Sequence, residues 1–363
     1  MLVDEAWAGA RDILCVRLDT LGDVLMTTPA IRALKESGPG RRITLLTSSA
    51  GAEVAFLIPE IDRIITYDAP WMKATAPRSN SQPEYSMADR LYCAGFDAAV
   101  IFTVYSQNPL PAAFLCYLAD IPLRLAHCHE NPYQLLSHWV PDPEPGRFLR
   151  HEVRRQLDLV ASVASITKDE RLSLRVPEGA ERRVRRLLAS LGVRLERPWA
   201  IIHPGANAPS RRYPWESFAH AGRRLSTEFG WQLVFTGTEP EGELIERIQR
   251  AMDVRSSSLV GCLNLGELAA LISLAPILIS NNTGPVHIAA AVGTPVVDLY
   301  ALTNPQHLPW SVPSRILSHS VPCQYCYKSI CPEGHHNCLR LITPDAVVRA
   351  SHELLAETLP MSA

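Results

Sequence analysis

Nowhere does this 363-residue chain stay apolar for the length that a bilayer demands, which argues against a transmembrane protein. Charge of either sign is hardly in excess. Thirty-five Lys and Arg stand against 37 Asp and Glu, a net −2, so no basic field marks the chain for nucleic acid. The first residues, MLVDEAWAGARD, carry acids and lack the basic region and apolar core of a secretory signal, so a cytoplasmic protein is expected. Internal repeats and long low-complexity tracts are also missing. Cysteine, by contrast, is not scarce. There are nine, and without an export signal free thiols are expected rather than disulfides.

What is present fits a globular α/β protein. Apolar residues make up 47% and charged residues 20%, and the length allows two domains of ordinary size. Short apolar runs alternate with helical periodicity. In the first half, strands are expected over residues 13–18, 43–47, 64–67 and 98–102, and helices over 24–35, 53–58 and 150–163. Residues 69–86 are polar, with Pro70, Pro77 and Pro83, and predict a mobile surface loop. The pattern pauses near 171–179. It restarts with helices over 181–191, 215–229, 241–252 and 265–274 and strands over 199–203, 232–236, 276–280 and 296–299. Strands separated by helices imply doubly wound parallel sheets. The expected organisation is a first Rossmann-like domain over 1–174, a second over 175–344, and a segment 345–363 whose helix packs back on the first domain.

The most informative stretch is PILISNNTGPVHIAAAVGTPVVDL, residues 276–299. It reads strand, polar loop, small-residue helix, strand. Pro285 suits the first helical turn and Gly293 the position past the end. In a parallel sheet this loop lies at the carboxyl end of a strand, where ligands bind. The free N–H groups and dipole of the helix start favour an anion, and His287 in the first turn adds a donor. The stretch therefore reads as a phosphate seat or, more simply, as an ordinary strand–helix turn whose polar residues cap a helix.

Three further loops follow strands in the same way. RLDTLGDVL, residues 17–25, opens the first helix; Asp23 there is either a base for a hydroxyl substrate or a helix cap, and Asp19 is ambiguous in the same manner. HPGANAPSRRYPW, residues 203–215, sets Arg211 and Arg212 on the same sheet edge as the 281–287 loop, and planar guanidinium groups suit phosphate. GTEPE, residues 237–241, supplies a carboxylate, Glu241, for ribose hydroxyls, or merely an exposed glutamate at a helix start. Last comes Cys323-x2-Cys326-x4-Cys331-x6-Cys338, with His335 and His336 inside it. Four thiols within sixteen residues point to a structural zinc or iron site, with reduced, partly buried cysteines as the alternative. Cys15, Cys93, Cys116, Cys128 and Cys262 read as core residues.

Taken together, RLDTLGDVLMTTPAIRALK, HPGANAPSRRYPWESFA, FTGTEPE and SNNTGPVHIAAAVGTPVV resemble the family 9 glycosyltransferases, typified by the ADP-heptose:lipopolysaccharide heptosyltransferases. The likeness runs from about residue 12 to 350. It implies a GT-B architecture, two Rossmann-like domains facing a central cleft, with the acceptor on the first and the nucleotide sugar on the second. It further implies inverting sugar transfer without a catalytic cofactor. By this resemblance Asp23 is the general base, and Asn207 and Arg211 hold the diphosphate. Glu241 takes the ribose, while Asn282, Thr283, Gly284 and His287 form the phosphate-side loop. Two positions depart from the usual pattern: Asn282 stands where the heptosyltransferases usually have aspartate, and Arg211 where they often have lysine.

The implied partners are a nucleotide-sugar donor, ADP-heptose, and a glycan, glycolipid or protein acceptor such as a lipopolysaccharide core. Such an acceptor would bring the protein to the cytoplasmic face of the inner membrane, with Trp71, Met72, Lys73 and Arg78 as the candidate contact. Two rival readings remain open at this point. One is another GT-B enzyme, such as a sugar-nucleotide epimerase. The other is a non-catalytic nucleotide-sugar-binding scaffold assembled through the cysteine site. Nothing in the sequence signals an oligomeric state.

Overall fold

The fold is described from a computed structural model over residues 2–73 and 75–358. Ala74, in the expected loop, and residues 359–363, in the expected last segment, lie outside the described residues. The chain divides into two compact units between Arg175 and Val176.

Unit 1 contains α1 (Leu2–Gly9), β1 (Asp12–Arg17), α2 (Leu21–Glu36), β2 (Arg42–Thr47), α3 (Ser49–Ala55), β3 (Arg63–Thr66), α4 (Gln82–Ala94), β4 (Ala98–Ile101), α5 (Leu110–Leu118), β5 (Leu123–Cys128), β6 (His138–Pro141) and α6 (Glu152–Ala161). Its sheet has the order β3-β2-β1-β4-β5-β6, and every pairing is parallel. A strand covered on both faces must be apolar on both, and β1 and β4 are buried nearly throughout. The core on one side is built from Leu14, Val16, Leu46, Ala99, Ile101 and Leu115, among others. In α2, Pro29 lacks the N–H that would pair with the Leu25 carbonyl. The Thr28 hydroxyl donates to that carbonyl at 2.7 Å, so the helix runs on through the proline.

Unit 2 contains α7 (Ala180–Ser190), β7 (Trp199–His203), α8 (Trp215–Phe229), β8 (Gln232–Phe235), α9 (Gly242–Met252), β9 (Ser257–Ser258), α10 (Leu265–Leu274), β10 (Leu278–Asn281), α11 (Gly284–Val292), β11 (Val296–Leu299), β12 (Ser314–Leu317), α12 (Asn337–Arg340) and α13 (Pro344–Thr358). The sheet order is β12-β11-β10-β7-β8-β9, again parallel at every pairing. Both units are therefore doubly wound α/β sheets, as the alternation of the sequence implies.

Several expectations are corrected. The last helix, expected to pack back on the first domain, belongs to unit 2. α13 contributes Val347, Val348, Ala350, Leu354 and Leu355 to the unit 2 core beside Phe218 and Leu225 of α8. Its amphipathic pattern announced a buried face but not the partner of that face. The expected loop over 69–86 is shorter, because α4 already begins at Gln82; Pro83 occupies the first turn, where a proline starts a helix rather than breaking one. Cys15, Cys116 and Cys128 are buried, whereas Cys93 and Cys262 are exposed. Among the described residues, no helix is long and apolar enough to cross a membrane.

Leu354 is fully buried against α8. Leu354→Ala should cost about 2–5 kcal/mol of stability, measured as a lowered urea midpoint at unchanged slope. A loss below about 0.5 kcal/mol, typical of a surface site, would contradict this packing of α13.

Candidate functional site

In each sheet the strand order reverses direction once, between β1 and β4 in unit 1 and between β7 and β10 in unit 2. At such a switch point the loops leaving neighbouring strands splay apart, and ligands bind outside the carboxyl ends of the strands. The loops at residues 17–25, 203–215 and 281–287 each leave one of these strands, whereas residues 237–241 follow β8.

In unit 1 the chain leaves β1 at Arg17 and enters α2 at Thr20. Asp23 closes a capping box: its Oδ2 accepts from the Thr20 backbone N–H at 3.2 Å and from the Thr20 hydroxyl at 3.0 Å. The helix-cap reading of Asp23 is thus realised in the structure. Beneath it lies Arg17, whose side chain is wholly buried. The guanidinium reaches three carboxylates: Asp19 at 3.1 Å, Asp23 at 3.3 Å and Glu152, from the first turn of α6, at 2.9 Å. Asp19 also accepts a 2.6 Å hydrogen bond from the Gln107 amide in the segment after β4. Burial raises the Asp19 carboxyl to about 6; Arg17 opposes the rise and Asp23 adds to it.

Asp19 and Thr20 line a cavity of about 760 Å³, together with Ser48, Asp68, Trp71, Met72, Lys73, Phe102, Thr103 and Gln107. Trp71, Met72 and Lys73 thus help form a cavity wall in the segment expected as a membrane contact. Trp71 packs edge-on against Tyr67 at 5.8 Å. Arg78 pairs with Glu84 at the start of α4.

In unit 2 one residue ties the two switch-point loops together. Asn281, the last residue of β10, is fully buried. Its Oδ1 accepts from the Tyr213 N–H at 3.0 Å, and its Nδ2 donates to the Pro204 carbonyl at 2.7 Å. The loop after β7 is therefore held against the start of α11. Thr283 caps α11 in an extended conformation, and its hydroxyl donates back to the Asn281 carbonyl at 3.2 Å. By position, the Gly284 N–H has no partner within the helix. His287 is buried in the first turn. Asn207 is exposed, and Arg211 ends a short 3₁₀ turn, Pro209–Arg211. Arg211 lies near enough to Tyr300 to oppose the strong rise that burial gives that phenol.

Glu241 also reaches this region. Its Oε2 accepts from the Thr238 N–H at 2.7 Å and the Thr238 hydroxyl at 2.9 Å. A β-carbon at Gly205 would meet the Glu241 carboxylate and displace it from its bonds to Thr238. Burial lowers the His203 imidazole, and the Glu241 charge opposes this. His203 Nδ1 and the Thr236 hydroxyl are 3.0 Å apart.

Asn282 faces inward. Its amide donates to Asp298 Oδ2 and to the His307 carbonyl, both at 2.9 Å. Asp298, in β11, is completely buried, and its other oxygen has no hydrogen-bond partner among the described residues. Burial pushes its carboxyl up to about 8, against the Asn282 bond. At neutral pH this group is mostly an uncharged acid.

The four cysteines of the last motif are all free and half-buried, and they line one small pocket with His335, His336 and Ser210. Among the described residues, no group of three or more His, Cys, Asp or Glu side chains is arranged to hold a metal. The segment braces the turn that carries Arg211: Ser210 donates its hydroxyl to the Lys328 carbonyl at 2.7 Å and its N–H to the Ser329 carbonyl at 3.1 Å.

Sequence reasoning missed Arg17, Glu152, Gln107, Asn281 as a bridge, and Asp298. The apolar run around Asp298 carried a signal, since a lone acid in VVDL belongs on a buried strand. The others declare themselves only through contacts made across more than a hundred residues or between neighbouring elements.

Residues 86–337 match the model of glycosyltransferase family 9 (heptosyltransferase). Lipopolysaccharide heptosyltransferase 2 of Salmonella typhimurium is 25% identical over 356 residues, which span 95% of this chain and 99% of that relative. A glycosyl transferase family 9 structure from Veillonella parvula has a TM-score of 0.79 at 23% identity, covering 96% of this chain and 97% of its own. The Escherichia coli ADP-heptose lps heptosyltransferase II structure gives 0.72 at 23%, covering 95% and 99%. These likenesses run through both units and share an α/β fold of the GT-B class.

Asp298 makes a prediction that depends on pH. Its folded-state value of about 8 lies above the ordinary value near 4. Between those limits the folded protein keeps a proton that the unfolded chain has lost, so stability contributed by this group falls as pH rises from about 4 to about 8. Asp298→Asn should flatten that decline, and urea midpoints measured from pH 5 to pH 8 should show it. An unchanged slope would mean that Asp298 is already ionised.

Proposed function

The chain belongs to glycosyltransferase family 9, and from that premise we propose that it transfers heptose from ADP-heptose to a hydroxyl of a lipopolysaccharide-core acceptor. Glycosyl transfer is the activity of the family. The donor, the acceptor and the roles of single residues are our reading. The observation that carries it is the placement of the motif loops: Asp23 stands at the switch point of one sheet, and Arg211 with the α11 start at that of the other.

In this mechanism Asp23 takes the proton of the acceptor hydroxyl as its oxygen attacks the anomeric carbon. Arg17 and Thr20 fix the orientation of the carboxylate for that step. The bond from the anomeric carbon to the diphosphate breaks on the opposite face, so configuration inverts. Negative charge then develops on the departing ADP. The Gly284 N–H, the α11 dipole and the Arg211 guanidinium are fixed donors suited to that charge. Glu241, held by Thr238, takes ribose hydroxyls, and Asn207 and His287 complete the diphosphate seat. Asn282 is turned onto Asp298, so this position carries no carboxylate where the heptosyltransferases usually have one. An acceptor of this class places the reaction at the cytoplasmic face of the inner membrane.

Calorimetric titration with ADP, UDP, GDP and ADP-heptose tests the donor. Selective binding of ADP and ADP-heptose is expected, and a preference for UDP or GDP would overturn the sugar assignment. Asp23→Asn should lower kcat by about 10²-fold or more with donor affinity unchanged. Transfer at near wild-type rate would remove Asp23 from the base role.

We also propose a structural metal, zinc or iron, for Cys323, Cys326, Cys331 and Cys338, which would have to draw together around it, since among the described residues they are not arranged to hold one. Four free thiols around one pocket are the donor chemistry that such an ion takes. Elemental analysis of the purified protein should find about one metal per chain, lost in Cys326→Ser. A metal-free wild-type protein would leave the cysteines as reduced packing residues.

A further inference from the structure

Three carboxylates around one guanidinium carry more negative charge than Arg17 can neutralise, and they are not equivalent. Glu152 is wholly buried, with a side-chain exposure of 0%, and meets Arg17 from the inside. Asp19 and Asp23 retain 15% and 17% and meet it from the outer side. A buried guanidinium requires a partner, and Glu152, itself bonded by Gln156 at 2.7 Å, supplies one. A second and third carboxylate add repulsion among themselves, so their presence calls for a purpose beyond pairing Arg17.

Asp19 is also the carboxylate that lines the 760 Å³ cavity, with Gln107 donating to it at 2.6 Å. Thr20 lines the same cavity while its hydroxyl donates to Asp23. Asp19 and Thr20 thus belong to one wall of the cavity, and the Thr20 hydroxyl links that wall to the proposed base, which is not itself a lining residue. Trp71 and Met72 give another wall an apolar character. A polar floor beside an apolar wall matches a sugar, which has hydroxyl edges and C–H faces.

We propose that Asp19 receives the acceptor sugar: its carboxylate accepts a hydrogen bond from a hydroxyl neighbouring the reactive one, and so sets which hydroxyl meets Asp23. Gln107 and Arg17 are positioning residues that hold Asp19 in place. The proposal rests on the reading of Asp23 as base and of unit 1 as the acceptor side. It adds a second substrate-touching carboxylate, with a role in recognition rather than in proton transfer.

The test uses the full-length protein and O-deacylated lipopolysaccharide core as probe, with binding measured by calorimetry and transfer by product formation. Asp19→Asn should weaken core binding about 10-fold and raise the acceptor KM in parallel, with kcat within about 3-fold and ADP affinity unchanged. Lowering the pH from 7.5 to 5 should weaken core binding to the wild type, because Asp19 titrates near 6 among Arg17 and Asp23, Glu152 of α6 and the Gln107 amide. The same pH change should leave Asp19→Asn nearly unaffected. A purely structural Asp19 would give no such loss of pH response. Should Asp19→Asn fail to fold, Gln107→Leu, which removes the 2.6 Å bond, should show the same KM effect in weaker form, about 3-fold.

Core binding within 2-fold of wild type in Asp19→Asn, or an unaltered pH response, overturns the proposal. So does failure of the wild type to bind the core. A wild type that binds the core through Asp19 but does not transfer heptose would instead overturn the donor assignment and leave this one standing.

Discussion

Every strand pairing in both sheets is parallel, and this one constraint fixes where chemistry can occur. Parallel strands need a crossover between them, so each unit alternates strand and helix, and all segments leaving strands emerge on one edge. The reversal of strand order then opens a gap at one place on that edge. Asp23 lies at this place in unit 1, and Asn281, Thr283 and the HPGAN segment lie at it in unit 2. The site residues are far apart in sequence because the topology, rather than local sequence, collects them.

Charge handling differs between the two places. Unit 1 buries an arginine and surrounds it with carboxylates. The arrangement is stiff, since removing one partner would strand charge in a medium that solvates it poorly. Unit 2 instead buries Asp298 without a cation, and the group answers burial by keeping its proton. The first device keeps carboxylate charge at the switch point of its sheet. The second leaves the strand beside the α11 start without that charge.

Much of the fold was legible because fully buried parallel strands read as apolar runs, and Trp199–His203 and Val296–Leu299 came out with their observed bounds. β5 was hidden by Arg124 and His127 within its six residues, and β6 by its alternation of half-buried and exposed positions. The partner of α13 was illegible in principle, because an amphipathic helix specifies a face and not what covers it. Of the candidate site, the motif loops were readable from glycine, proline and polar residues at strand ends. What lay beyond reach was the layer behind them. Arg17 looks like an ordinary charged residue at the end of a strand, and only its partners, Glu152 above all, show that it is interior. Asp19, ambiguous in the sequence between a base and a cap, lines the 760 Å³ cavity of unit 1.

The brace on Ser210 bears on the order in which the protein is made. Unit 1 draws all its strands and its main core from residues before Val176, so it can close while the ribosome is still translating the rest. The turn that carries Arg211 cannot. Its hydrogen-bond acceptors are the carbonyls of Lys328 and Ser329, and the neighbouring Tyr213 hydroxyl donates to the carbonyl of Ile342 at 2.9 Å. These groups emerge more than a hundred residues later. A nascent or prematurely terminated chain thus owns the Asp23 loop long before the turn that carries Arg211 is braced.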